Sequence, residues 1–500
     1  MKLTKILTAG VLSVSMLFSS SCTDFIDIIP ENSVPAEGVD FSKTENMYQP
    51  VISVYSSMRT NILHWIQAGL LLTRDGDVWS GRIDDQAGLL GFCGHEGVFN
   101  YDNGFWGVNE AWRNYYVLIQ TANSALESLE GYAQYIDKNS ETFKTYESYC
   151  AEVKTLRALA YYDLAVHFGP VVIYRSNNQS DFRRSSVDLV YKYILEDLDY
   201  AMKKLPRVRP NQMAHPGAVS AFTAEMIAAR VNLLMGNWPE VERLTQDIID
   251  HGNFQLYPDF YQLFKIPGKL CDESLFEVQV TDFGTGSGEL IDADNWFTFQ
   301  GPANDGNISG WGFVGYRPEF VAWAEGRGET VRTTTSFLKA GSTTPDGDKI
   351  RPLKNPTQTN CWNGKAYLPT NQLTPGRTKY GTNNNIRFMR YAEVLLMNSE
   401  SKIRNGKDGD FGYNEVRKRA KMSTKSGVTV KDVIDERRME LCCEIGWAHC
   451  IDLYRTYGTA EQQDIPSEWE GKWSAEYRYL PVPFTQIEEL PDLLLDPMTE

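Results

Sequence analysis

Seventeen residues, EVKTLRALAYYDLAVHF (152–168), limit the fold of this chain more than any other stretch. Val153, Leu156, Ala160 and Leu164 recur at spacings of three, four and four, which places them on one face of a helix. Gly169 and Pro170 follow in the positions that stop one. Residues 186–205 and 218–235 repeat the pattern, and TANSALESL (121–129) and YAEVLLMNSESKIRNG (391–406) lie in similar runs. In FTAEMIAARVNLLMGNWPEVERLTQDII, Gly236-Asn237 divides two amphipathic segments, as the turn of a tetratricopeptide unit does. No strict 34-residue period runs through the chain, so the expectation is a mostly α protein built on irregular helical pairs.

Between residues 268 and 385 the texture changes. Gly, Thr, Asn and Pro become frequent, short β-like runs such as LFEVQ (275–279) appear, and Trp296, Trp311, Trp323 and Trp362 fall here. Loops of this length in a globular protein carry function or are disordered, and the aromatic content argues against disorder. With 500 residues, 42% of them hydrophobic, the chain exceeds the size at which one core stops growing, and two lobes are expected. The division is 46–267 for the helical-repeat region and 268–500 for the second region, with candidate ligand loops at 268–385 and closing helices after them.

The N-terminus reads as an export signal. Lys2 and Lys5 precede a short apolar run diluted by Ser and Thr, and three serines lead to Cys22. The run is too short and too polar for a bilayer core of about 30 Å. Cleavage before Cys22 (residues 1–21 being the leader) would leave a cysteine to carry lipid, with 22–45 as a tether; the alternative is a soluble secreted protein cut near the same point. The other seven cysteines are odd in number and scattered, which fits buried thiols better than a disulfide framework. A net charge of −16 without basic clusters argues against a nucleic-acid partner.

Six segments in order resemble the SusD/RagB family of nutrient-binding outer-membrane lipoproteins of Bacteroidetes. They are CTDFIDIIPEN, AWRNYYVLIQTANSAL, AEVKTLRALAYYDLAVHFGPVVI, RFMRYAEVLLMNSESK, YNEVRKRAK with DERRMELCCE, and YRYLPVPFTQIEELPDL. The chain departs from the family at EIGWAHCIDL (444–453), which has two extra residues and no arginine, and at Leu493, which lacks the usual preceding Asn-Pro. The resemblance implies a SusD-like fold, and a protein that captures a glycan at the cell surface and hands it to a SusC-like TonB-dependent transporter. Some relatives handle oligopeptides. It further implies a lipid anchor at Cys22 in the outer membrane, with Asp24 and Asp27 as the acidic signal for the outer face.

Three stretches invite chemistry. CCEIGWAHC offers Cys442, Cys443, His449 and Cys450 to a metal, but seven residues of helix rise about 10 Å, too far for one zinc, so a buried segment is the default. RDGDVWSGRIDD gathers Asp75, Asp77, Asp84 and Asp85 around Trp79 and Arg82. It reads as a carboxylate pair for glycoside hydrolysis, as a calcium loop (though without EF-hand spacing), as sugar recognition, or as a solvated helix end. The family resemblance favours sugar recognition, giving Asp75, Asp77, Trp79 and Arg82 as candidate ligand contacts. Trp296 and Trp362 sit among polar residues outside any helical period and are the other two candidates. Trp311, in SGWGF, is expected to be structural, Trp112 and Trp238 to be core, and Trp65 and Trp106 are left unassigned. No nucleophile motif is visible, and GTGSG (284–288) lacks the Lys-Ser/Thr of a phosphate loop. The reading is a binding protein without cofactor or catalytic residue; a surface glycoside hydrolase is the alternative from another class.

Overall fold

Helix carries the architecture, as the periodicity requires. The computed structural model describes residues 38–80, 88–89, 92, 99–281, 294–302, 310–350, 360–376 and 383–500. In its first part run α1 (Gln49–Ile62), α2 (Trp65–Leu72), α3 (Trp106–Ala133), α4 (Glu141–Phe168), α5 (Val187–Lys204), α6 (Ala221–Met235) and α7 (Trp238–His251). The run that opened the sequence reading is the second half of α4. That helix starts three turns earlier, where the Ser140 hydroxyl accepts from the Phe143 amide (3.1 Å) and closes the N-terminus. It ends at Gly169, whose φ of 71° few other residues adopt. Successive helices pack on one another: α3 on α4, α4 on α5, α5 on α6 and α6 on α7. The α6–α7 turn is made at Gly236 (φ 70°), which gives the helix-turn-helix unit expected there.

Polar bolts fix these layers. Arg157 of α4 makes two hydrogen bonds to Asp197 of α5 (2.8 and 2.9 Å) and a third to Asn123 of α3 (2.7 Å), all buried. Such a fork holds three helices in one register.

The second part holds α8 (Phe260–Leu263), α9 (Asp294–Thr298), α10 (Pro318–Gly326), α11 (Val331–Ser336), α12 (Tyr391–Arg404), α13 (Asp410–Arg419), α14 (Val430–Glu440), α15 (Ala448–Arg455) and α16 (Phe484–Glu489). Its strands are short and pair antiparallel in twos: β1 (Val78–Ser80) with β3 (Val314–Tyr316), β2 (Ser274–Val278) with β6 (Ile386–Arg390), and β4 (Phe337–Lys339) with β5 (Cys361–Asn363). β2 is the β-like run read from the sequence. The β1–β3 ladder sets Trp79 opposite Gly315 and so ties the early part of the chain to the later one, with no division into two lobes. Helix α12 packs on α7, and residues Ser42–Glu500 form one compact unit. Residues 1–21, Cys22, Asp24 and Asp27 lie outside the described residues.

The chain's end closes its beginning. The Leu480 amide donates to the His167 carbonyl (2.7 Å), Phe484 to Asn103 (2.9 Å) and Met498 to Arg184 (2.8 Å). Arg74, fully buried, donates to the carbonyls of Tyr477 and Arg478 (2.9 and 2.8 Å).

Candidate functional site

The six residues expected to touch ligand do not form one site. Asp75 is buried, and its Oδ1 accepts from the amides of Asp77 and Val78 (2.9 and 3.1 Å), which shapes the turn into β1. Burial, and the neighbouring Asp77 charge, push its pKa up to about 8. Asp77 is buried too, held by the Arg438 guanidinium (2.9 Å) and by His449 Nε2 (3.0 Å). These are corrections to the sequence reading: both acids are spent on the fold and are not presented to a sugar or paired for hydrolysis. Trp362 is corrected likewise. It has no exposed surface and sits among Tyr261, Leu338, Ile350 and Tyr367, with Leu338 its direct partner across the β4–β5 ladder. Trp296 is also buried, edge-on to Phe299. Trp79 is half-buried beneath the Arg317 guanidinium, 4.6 Å from the ring centre. Arg82, Asp84, Asp85 and GTGSG lie outside the described residues.

The segment CCEIGWAHC is buried. Its His449 is occupied by Asp77, and the Tyr316 hydroxyl donates to Cys442 Sγ (3.6 Å). Trp112 is core as expected, edge-on to Phe168, whereas Trp238 is half-buried under Arg404.

A different group of aromatics faces solvent. Trp65 is the first residue of α2 and Trp106 the first of α3, and side chains of a helix lean toward its N-terminus. Both rings therefore project past the helix ends, with centroids 5.8 Å apart. Gly107 permits this approach: a Cβ there would stand 2.7 Å from the Phe105 ring and 2.8 Å from Ile66. Trp311 arrives from the second part and meets Trp65 edge-on at 5.6 Å, while Phe313 stacks on Trp65 at 5.7 Å. A ladder of amides from Trp311, Gly312 and Phe313 to the carbonyls of Thr298, Gly301 and Phe299 holds that segment (2.5, 2.8 and 2.9 Å). Trp65 and Trp311 are half-buried and Trp106 is 49% exposed, so the cluster is an open platform on a firm base.

Polar groups border it. Glu110, one turn after Trp106, pairs with Arg113 at 3.0 Å. His64 precedes Trp65, and its Nδ1 has no hydrogen-bond partner among the described residues. Burial lowers the His64 pKa; the Glu110 charge opposes this and that of Arg113 adds to it, so the ring is neutral at pH 7 and can both donate and accept. Flat apolar faces beside paired donors and acceptors suit a ligand with CH faces and many hydroxyls. Among the described residues no group of three or more His, Cys, Asp or Glu could hold a metal ion.

The sequence reading left Trp65 and Trp106 unassigned and took Trp311 as structural. A usable signal was there: HW, GFWG and SGWG set each ring beside a breaker or histidine at an element's start, not inside a helical period.

A mostly helical fold of irregular pairs with short paired strands defines a class, and comparison with known proteins agrees. Residues 100–233 match a family model described as starch-binding and associating with the outer membrane, and residues 322–493 match that of the SusD family, together more than half of the chain. The chain belongs to the SusD/RagB family. A SusD-like protein of Bacteroides ovatus is 24% identical over 403 residues, 73% of this chain and 69% of that one. Surface glycan-binding protein A from Bacteroides uniformis superposes with a TM-score of 0.71 at 22% identity, covering 90% of this chain and 98% of its own. The protein of the same name from Bacteroides thetaiotaomicron, in complex with laminarihexaose, gives 0.70 at 21% identity, with 90% and 98% covered.

Proposed function

We propose that this chain is a cell-surface glycan-binding lipoprotein. It captures an oligosaccharide on the platform of Trp65, Trp106 and Trp311, then delivers it to a SusC-like TonB-dependent transporter. The observation that carries the reading is the platform itself: three indoles from separate elements meet with Trp106 49% exposed, where burial would have been the default for so much apolar ring. The laminarihexaose complex of a structural relative supports a glycan over the oligopeptide alternative. The reading assigns no catalysis: of the four acids that prompted the hydrolase alternative, Asp75 and Asp77 are buried in structural contacts, and Asp84 and Asp85 lie outside the described residues. Residues 1–21 are the leader, Cys22 carries the lipid that anchors the protein at the outer face of the outer membrane, and 22–45 form the tether. Residues 46–267 and 268–500 are the two regions, with 268–385 supplying loops around the ligand. No described helix is long and apolar enough to cross a membrane, and an anchor at Cys22 requires none.

Calorimetric titration of the mature chain in detergent against plant and host glycans and mixed oligopeptides tests this. Saturable glycan binding, lost in Trp106→Ala and Trp65→Ala, is the expected result. A peptide response without a glycan response would replace the ligand class, and glycan binding that survives both substitutions would move the site elsewhere. Co-purification of a TonB-dependent barrel from outer membranes tests the delivery step.

A further inference from the structure

The aromatic surface does not stop at Trp106. Phe484, the first residue of α16, is 49% exposed, the same fraction as Trp106. A single exposed phenylalanine needs no explanation. This one is set in place: its amide donates to the Asn103 carbonyl at 2.9 Å, three residues ahead of Trp106. Three residues of chain span at most about 11 Å. Two residues into α16, the Gln486 side-chain amide donates to Asn109 Oδ1 at 3.1 Å. Asn109 shares the α3 face of Trp106, three residues on. The start of α16 is therefore moored beside the start of α3 at two points, with a half-buried amide pair bridging the two helices. That pair uses one donor and one acceptor, and each side chain has further capacity for hydroxyls.

We propose that Phe484 is a second aromatic subsite, so that the ligand is an oligosaccharide laid from the tryptophan platform across the Asn109–Gln486 pair onto the closing helix. This rests on the glycan reading above. The geometry distinguishes chain lengths: a short sugar engages the tryptophans alone, whereas a longer one also reaches Phe484. The platform joins the starts of two early helices to Trp311 and the extension lies in the last thirty residues, so distant parts of the chain measure one ligand.

The test is titration of the mature chain with the disaccharide and hexasaccharide of the laminari, malto and xyloglucan series. Phe484→Ala should weaken the hexasaccharide roughly three- to tenfold, the worth of one aromatic contact, and leave the disaccharide within twofold. Phe484→Tyr should retain the wild-type preference for length, and thermal melting should be unchanged in both, since the ring is exposed. An equal loss at both lengths, or none at either, overturns the extension while binding lost in Trp106→Ala upholds the platform. Failure of the wild-type chain to bind any member overturns the glycan reading and this inference together.

Discussion

Trp362→Ala and Trp106→Ala remove the same ring and are expected to fail in different assays. Trp362 has no exposed surface, so its loss leaves a cavity and costs about 3–5 kcal/mol, seen as a lowered melting midpoint. Trp106→Ala should move stability by less than about 1 kcal/mol and abolish glycan binding. NCWNGKAY and GFWG look alike on the page; what separates them is the cluster around Trp362, in which its ladder partner Leu338 is 24 residues away and Tyr261 further still. The acids misled for a related reason. Acidity in RDGDVW was legible, but the burial of Asp75 and the Arg438 that claims Asp77 come from packing with residues some 360 positions on. Asp75 also makes a pH prediction. Its carboxyl holds a proton in the folded state up to about pH 8, whereas in the unfolded chain it ionises near pH 4. The folded state thus binds the extra proton, and this group's contribution to stability falls as pH rises from about 4 to about 8. Asp75→Asn, which cannot ionise, should remove that decline, measured as the change in denaturation midpoint between pH 6 and pH 8.5. An unchanged slope would mean Asp75 is ionised in place.

At the scale of elements, Gly107 decides how near the starts of α2 and α3 can stand. Gly107→Ala drives a methyl into Ile66 and Phe105, and overpacking of this kind costs roughly 1–3 kcal/mol. Because the displaced elements carry Trp65 and Trp106, affinity for glycan should fall with stability, a coupling that Gly236→Ala should lack. Gly236 has open space around it and pays only for its positive φ, about 1 kcal/mol, with affinity unchanged. Titration of the two variants side by side checks this. The helices were legible because apolar spacing repeats at helical period whatever the tertiary context. The first three turns of α4 were not, since ETFKTYESYC has few apolar residues to carry a period, and its start is marked by the Ser140 cap alone. Short paired strands such as β4 and β5 escaped notice because three residues are too few to show alternation.

Over the whole molecule, ion pairs and the closing segment bind the parts together. Arg390, fully buried, contacts Glu273 (2.5 Å), Glu440 (3.0 Å) and Glu444 (2.7 Å), joining β6 to the ends of α14 and β2. Arg390→Met would take one cation from each of three carboxylates, leaving them to Arg419, Arg332 and Lys365, and is expected to cost about 3 kcal/mol, read as a lower denaturation midpoint. Burial works to raise the Glu440 pKa, but Arg419, Arg390 and Arg332 outweigh it and hold it at about 2. Its contribution is therefore complete above about pH 4.5 and lost as pH falls toward 2, and the variant should show a weaker acid limb. The family's overall plan was readable from six ordered segments. The platform was not, because it exists only where residues 65, 106 and 311 meet.

The closing contacts also set an order in time. Arg74 awaits Tyr477 and Arg478, Asp77 awaits Arg438, and Asn103 awaits Phe484. These particular pairings must close loops of some 360 to 400 residues before they are rewarded, so they form late. While the polypeptide is still emerging, the seam that residues 477–498 will cover stays open, with its apolar walls in water. A newly made copy is thus vulnerable to aggregation until its last residues arrive.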